Sequence, residues 1–148
     1  MQDLRDAITQ SYIVRGMTVD EVDALYVIME KRVFKGGETL VRQFDKSKDL
    51  MIIMEGDARV NTFSGDKIIE MGPGNIIGEI ALLDDQPRSA TVTSVGGTTV
   101  AFFSGAKLRT LMDTKPRIEL VVLRNVSRTL CSKIRLANLQ LEGLMSKS

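Results

Sequence analysis

The sequence of 148 residues contains no histidine and only one cysteine, Cys131. Metal sites in small β-barrel enzymes usually use histidine imidazoles as ligands, so we expect no metal site here. A single cysteine excludes an intramolecular disulfide, fits a reducing compartment, and has no histidine to serve as its base. Without a visible pair of nucleophile and base, we expect that the protein is not an enzyme.

Long apolar runs and an excess of one charge are also missing. No stretch approaches the roughly 18 apolar residues that a membrane span requires, and the N-terminus lacks a secretory core. The 20 Lys and Arg residues balance 19 Asp and Glu residues, which argues against a general attraction to nucleic acid or to an anionic membrane. We therefore expect a cytoplasmic location. Residues 115–135 are locally basic, and we interpret them as a solvated helix face.

A chain of this length with 43% hydrophobic residues can form one domain, residues 1–148, with its own core. Residues 1–33 are predicted to be helical. Thr18 and Glu21 form a capping box there, and apolar positions at helical spacing follow it. The methionine and aromatic positions share the period of the aliphatic ones, so we interpret them as core.

Residues 34–104 change to short β-rich runs broken by Gly, Pro, Asp and Ser. Such spacing predicts an antiparallel sandwich or barrel, and the pattern alone does not decide between the two. Hairpin turns are predicted at residues 64–66 and at Gly96-Gly97. The predicted strands are residues 38–42, 50–55, 58–63, 67–71, 90–94 and 98–103.

Residues 105–145 are predicted to form two helices. Ser104 can serve as the N-cap of a short helix that ends before Pro116, and a longer helix follows. Apolar residues recur along the longer helix at spacings of three and four, which predicts an apolar face that extends beyond what a compact domain needs to cover. These residues are Leu120, Leu123, Val126, Leu130, Ile134, Ala137, Leu141 and Leu144.

Residues 78–92 combine groups suited to an anion and to a hydroxyl. Gly78 permits a close approach of the backbone to a ligand, and residues 80–83 can form one helical turn whose free N–H groups attract an anion. Arg88 offers paired donors that suit phosphate. Glu79 repels phosphate but can accept a hydrogen bond from a sugar hydroxyl. A phosphate and a ribose side by side describe a nucleotide.

The spacing of this segment resembles the phosphate-binding cassette of cyclic nucleotide-binding domains. That pattern is roughly Phe-Gly-Glu-Leu-Ala-Leu, four variable residues, then Arg-Ser/Thr/Ala-Ala-Thr-Val. The matching residues are Gly78, Glu79, Ala81, Arg88, Ser89 and Ala90. Other runs look like that family's strands and turns in the right order, so the resemblance covers about residues 11–135. It implies an α+β, mainly β fold: an antiparallel β-roll of jelly-roll type with N-terminal helices and a C-terminal helical pair.

The resemblance also implies a role for each site residue. Arg88 pairs with the cyclic phosphate, and Glu79 accepts from the ribose 2′-hydroxyl. The base is expected against apolar residues of the roll and against the C-terminal helix, with Val60, Lys133 and Ile134 as candidates. Backbone N–H groups near Ala81 and Ala90 and the Ser89 hydroxyl complete the phosphate site. The expected ligand-binding residues of the segment are Gly78, Glu79, Ile80, Ala81, Arg88, Ser89 and Ala90.

The sequence departs from the family's pattern at three positions. Phe44 and Ser47 stand where the family often has glycines in an early hairpin, and Ile77 replaces the usual aromatic residue before the cassette glycine. The first departure concerns the geometry of that turn. Neither departure removes a phosphate or ribose contact.

By resemblance, the chain is a sensor that binds cAMP, with cGMP as the second candidate ligand, and repacks its C-terminal helix on binding. Transcription factors of the family carry a helix-turn-helix domain after this helix. About 28 residues after Leu120 are too few for one, so we expect a stand-alone form without direct nucleic-acid binding. The expected partner is an effector in trans or a second copy of the chain, through the C-terminal helix.

Two alternatives to a stand-alone sensor stay open. The chain could be the regulatory fragment of a larger channel, kinase or transporter. It could also be an interaction scaffold that keeps the fold without the ligand. Glu79 and Arg88 argue against the scaffold, because buried opposite charges without a ligand are costly.

Overall fold

The computed structural model describes residues 3–61 and 68–146. Its body is a pair of antiparallel four-stranded sheets, the first in the order β1-β8-β3-β6 and the second in the order β2-β7-β4-β5. The strands are β1 (Met29–Phe34), β2 (Thr39–Val41), β3 (Leu50–Glu55), β4 (Ala58–Asn61), β5 (Ile68–Met71), β6 (Ile76–Ile77), β7 (Thr91–Ser94) and β8 (Thr98–Phe103). This architecture confirms the mainly β fold with flanking helices. The turn predicted at residues 64–66 lies outside the described residues.

Helices flank the sheets, and their caps follow the sequence signals. The Thr18 hydroxyl accepts from the N–H of Glu21 at 3.2 Å, and the Glu21 carboxylate accepts from the N–H of Thr18 at 2.8 Å, which confirms the capping box. Ser104 caps its helix by accepting from the N–H of Lys107. The helices are α1 (Leu4–Thr9), α2 (Val19–Val27), α3 (Gly105–Thr114) and α4 (Pro116–Ser146), with 3₁₀ helices at Tyr12–Val14 and Glu79–Leu82. None of them is long and apolar enough to cross a membrane within the described residues.

Strand β3 lies at the centre of the fold because both of its faces are buried. Leu50, Ile52 and Met54 pack with the helices. Met51 and Ile53, on the opposite face, pack against the second sheet. The alternation follows from the two-residue period of a strand. The domain therefore has two apolar layers, one between the sheets and one between the first sheet and the helices.

Two predictions about local structure were wrong. Residues 29–33 are part of β1 and not helix: Met29 pairs with Phe103, and the pairing continues along β8. This strand is charged and mostly exposed, so its own sequence carries little strand signal and the partner strand decides its conformation. The Gly96-Gly97 turn joins β7 to β8, which belong to different sheets. It is therefore a connection between sheets and not a hairpin.

The buried face of α4 also differs from the predicted stripe. Leu120 is 53% exposed, although the stripe begins there. Spacings of three and four fit more than one face of a helix, and α4 buries the face that meets the 3₁₀ helix Tyr12–Val14 and α3. The buried residues of α4 are Ile118, Val121, Val122, Asn125 and Val126. The side chains at residues 131–142 are exposed, and Cys131 is among them.

Candidate functional site

A cavity of about 540 Å³ lies between the second sheet, the cassette segment (residues 78–92) and α4. This volume falls in the range of small-molecule sites. All the ligand-binding residues predicted in the cassette segment line the cavity, and so do Val60 and Lys133. Ile134, which was also predicted beside the base, is exposed and does not line the cavity. Consecutive helical residues point about 100° apart, and Lys133 is the one that reaches the cavity.

The floor of the cavity is a row of aliphatic side chains across the second sheet. Val41 pairs with Val92, Val92 with Val60, and Val60 with Ile69, and all four residues line the cavity. Of these four residues, only Val60 was predicted from the sequence. Alternation within a strand shows which residues share a face, but their neighbours across strands depend on register. The row offers an apolar surface of the kind that a planar base can cover.

Gly78 begins the cassette turn in the left-handed region, with a φ of 98°. It is the N-cap of the 3₁₀ helix Glu79–Leu82. The helical turn predicted at residues 80–83 is therefore confirmed, and it begins one residue earlier. A Cβ at this position would lie 2.5 Å from a terminal guanidinium nitrogen of Arg88 and 2.7 Å from the carbonyl oxygen of Asp49. Both the backbone angle and the space therefore require glycine.

Arg88 is 8% exposed and is held by the loop between β2 and β3. Its N–H donates to the carbonyl of Asp45 at 2.8 Å, its carbonyl accepts from the N–H of Phe44 at 2.8 Å, and an Nη donates to the carbonyl of Asp49 at 2.5 Å. Its Nε is buried without a hydrogen-bond partner in the described part of the chain. Burial lowers the pKa of Arg88, and the charges of Asp49, Asp45 and Glu79 oppose that effect. A buried guanidinium with spare donor capacity beside a cavity suits an anionic ligand.

Glu79 is 7% exposed, and its Oε1 accepts a hydrogen bond from Nζ of Lys133 at 3.1 Å. Lys133 comes from α4, and its side chain is 60% exposed. Burial first and the charge of the Glu79 carboxylate second raise the pKa of Tyr12 to about 12. Thus α4 contacts the cassette segment at Glu79, the carboxylate assigned to the ribose. Lys133 was predicted to lie beside the base, and its contact with Glu79 was not predicted.

Two of the predicted phosphate contacts, at Ala81 and Ser89, differ from the buried Arg88 side chain. The N–H of Ala81 donates to the carbonyl of Gly78 at 3.1 Å, inside the cassette turn itself. Ser89 is exposed, and its carbonyl accepts from the side-chain amide of Gln43 at 3.3 Å. Among the predicted phosphate contacts, the Arg88 side chain is therefore the buried positive group.

Phe44 is one of the two positions of the early turn where the family often has glycine. Its φ of 72° lies in the left-handed region that glycine adopts readily. Its side chain is exposed, so little packing offsets the unfavourable backbone angle. The turn therefore keeps a glycine-like geometry without glycine, at a cost of about 1–2 kcal/mol.

Comparisons with known proteins point to one family. The profile of the cyclic nucleotide-binding domain matches residues 31–115, which is more than half of the chain. The cAMP-dependent protein kinase regulatory subunit of Dictyostelium discoideum is 41% identical over 93 residues, which cover 58% of this chain and 28% of that protein. The cyclic AMP receptor protein of Thermus thermophilus is 27% identical over 138 residues, which cover 90% of this chain and 62% of that protein.

A solved structure shows the same fold. The N-terminal domain of a transcriptional regulator from Streptomyces coelicolor aligns with a TM-score of 0.73 at 23% identity, covering 86% of this chain and 94% of that one. The chain belongs to the cyclic nucleotide-binding domain family. It spans less than two thirds of the length of both curated relatives named above.

Proposed function

We propose that this domain binds cAMP in preference to cGMP, leaves it chemically unchanged, and reports the bound state through α4. The observation that carries the proposal is the buried Arg88 side chain, whose Nε has no hydrogen-bond partner in the described residues, beside a cavity of about 540 Å³. A cyclic phosphodiester carries one negative charge, which one arginine balances. Both curated relatives named above have cyclic AMP in their names, which supports cAMP as the ligand.

The rest of the cavity divides between a ribose and a base. The Glu79 carboxylate would accept from the ribose 2′-hydroxyl, because it is the acceptor on the same turn as the phosphate site. The apolar row that ends in Val60 and Ile69 would take the base. An anion, a hydroxyl donor and a flat apolar ring are the three parts of a cyclic nucleotide, and the cavity supplies a counterpart for each.

The contact between Lys133 and Glu79 supports the sensor part of the proposal. A ribose hydroxyl would compete with the lysine ammonium for one buried carboxylate, so ligand binding changes the surroundings of α4. Beyond residue 130, α4 has exposed apolar side chains that share one side of the helix, among them Ile134, Leu141 and Leu144. An exposed apolar face of this kind suits an effector or a second copy of the chain.

Calorimetry with cAMP and cGMP tests the phosphate assignment. Arg88→Gln removes charge-assisted hydrogen bonds of about 1.5–3 kcal/mol, so cAMP should bind about 10- to 150-fold more weakly. Arg124→Gln is the matched control, because Arg124 is exposed on α4 and lies outside the cavity lining. Wild-type affinity in a folded Arg88→Gln variant would overturn the proposal.

The ribose contact can be tested from both sides. The wild-type protein should bind 2′-deoxy-cAMP poorly, and Glu79→Gln should weaken cAMP binding while costing 2′-deoxy-cAMP little more. Simple addition of the two losses would show that the contact does not exist. Chromatography of the nucleotide after prolonged incubation should return it unaltered; conversion to AMP would contradict the absence of catalysis.

A further inference from the structure

A second cleft, of about 120 Å³, lies between the 3₁₀ helix Tyr12–Val14 and α4, and it shares no lining residue with the nucleotide cavity. Its lining contains two guanidinium groups and three hydroxyl groups. No carboxylate occurs among the described residues that line it. The lining residues are Tyr12, Arg15, Asn125, Arg128, Thr129 and Ser132. The cleft is therefore rich in hydrogen-bond donors and positively charged.

The two arginines of the cleft have no ionic partner in the part of the chain that the structure describes. Arg15 and Arg128 are exposed and take part in no ion pair among residues 3–61 and 68–146. Arg117, earlier on α4, behaves differently: its Nε lies 3.0 Å from a carboxylate oxygen of Glu21. Two like charges around one small cleft repel each other, and an anion between them would turn that repulsion into attraction.

Asn125 fixes the geometry of the cleft. Its side-chain amide donates to the carbonyl of Ile13 at 3.0 Å and to the carbonyl of Arg15 at 2.9 Å. These bonds hold α4 against the end of the 3₁₀ helix, and so they bring Arg15 from the N-terminal segment and Arg128 from α4 to one cleft. They also satisfy two carbonyl oxygens of the N-terminal segment.

The hydroxyl groups add no negative charge, and that of Ser132 donates to the backbone carbonyl of Arg128 at 3.2 Å, from which it can rotate toward an anion. The Tyr12 hydroxyl is buried, and its pKa is raised to about 12, so the phenol stays neutral near pH 7. Thr129 and Ser132 are on the turn of α4 that follows Arg128. Arginine forks combined with hydroxyl donors match the oxygen atoms of a tetrahedral oxyanion.

We propose that this cleft binds a phosphate group, as inorganic phosphate or as a phosphate monoester, and that the bound group ties the 3₁₀ helix Tyr12–Val14 to α4. The size of the cleft admits one such group and not a nucleotide. The site is separate from the cassette, whose own positive group is Arg88.

The test is a ¹H–¹⁵N NMR titration of the full chain with inorganic phosphate and, separately, with glycerol 3-phosphate, at ionic strength held constant with sodium chloride. Saturable shifts are expected at the amides of Arg15, Thr129 and Ser132. Arg15→Gln and Arg128→Gln should each weaken that response about tenfold or more. The amides of Ser89 and Ala90 report any phosphate bound at the cassette, so the two sites are read separately in one spectrum.

Arg124→Gln is the matched control, since Arg124 is exposed on α4 but does not line the cleft. It should leave the response unchanged, and Arg128→Lys should recover part of it by keeping the charge. A response to only one of the two compounds would identify the source of the phosphate group. Equal loss in Arg124→Gln and Arg128→Gln, the same shifts with sodium chloride alone, or shifts that never saturate would each overturn the proposal.

Discussion

Replacing Lys133 by glutamine tests whether α4 and the ligand compete for the cassette. Nζ of Lys133 lies 3.1 Å from Oε1 of Glu79, and the two side chains are 60% and 10% exposed. Because the lysine is largely in solvent, screening keeps the stabilisation by this pair within the range for surface ion pairs. Since Glu79 is buried, we take the upper end of that range, about 1 kcal/mol. The substitution should lower the free energy of unfolding by about that amount in urea denaturation without ligand.

The same substitution should strengthen nucleotide binding. If a ribose hydroxyl takes the place of the lysine, the wild-type protein must break the pair before it binds, and Lys133→Gln does not. The pair energy of about 1 kcal/mol then appears as an affinity for cAMP about fivefold higher in calorimetry. Lower stability together with higher affinity distinguishes competition from a general loss of structure, which would lower both the stability and the affinity.

The matched control is Arg135→Gln, which removes a positive charge from an exposed part of α4. It should leave stability and affinity within experimental error of the wild type. Affinity equal to or below the wild-type value in Lys133→Gln would refute competition, because it would mean that Lys133 stays on Glu79 in the bound state. A double-mutant cycle with Glu79→Gln then assigns the effect to the pair itself.

Three further predictions concern single side chains. Phe44→Gly should raise the free energy of unfolding in urea, because relief of the positive φ, about 1–2 kcal/mol, exceeds the added chain entropy of about 0.5–1 kcal/mol; equal or lower stability would contradict the strain. The pKa of Tyr12 rises from 10.0 to about 12 on folding, so its stabilisation is present below pH 10 and is lost as pH rises toward 12, and melts of Tyr12→Phe should lack that part of the decline. Ser89→Ala should keep cAMP ahead of cGMP in calorimetry, and a reversed order would show that the hydroxyl sets the preference.

The cassette could be predicted from the sequence because its geometry is largely local. Gly78 and the short turn after it lie within one segment, and their positions follow from neighbours in the chain. The groups that hold Arg88 are different. The carbonyl of Asp49, which accepts from its guanidinium, lies 39 residues away in the chain, and only the folded sheets bring the two together. Sequence spacing therefore identifies the arginine but not its supports.

Strands behave in the same way when their conformation depends on a partner. Residues 50–55 and 98–103 were predicted with the bounds that β3 and β8 have, because both strands are apolar enough to be recognised alone. The β1 strand is charged and exposed, and its pairing with β8 overrides its local preference. The two-residue strand β6 is too short to give any periodic signal. The apolar row that we assign to the base could be predicted only if the register of four strands were known at once.

The orientation of α4 shows how one polar residue can mislead a search for apolar stripes. Asn125 is buried, so a count of apolar residues alone rejects the face that it occupies. Its amide nevertheless satisfies two carbonyls of the N-terminal segment, which makes this face the one that packs. Val126 lies on the buried face, and a residue two turns later returns to nearly the same direction. That residue is Lys133, so the packing of Asn125 and Val126 carries the lysine to Glu79 and turns Ile134 toward solvent.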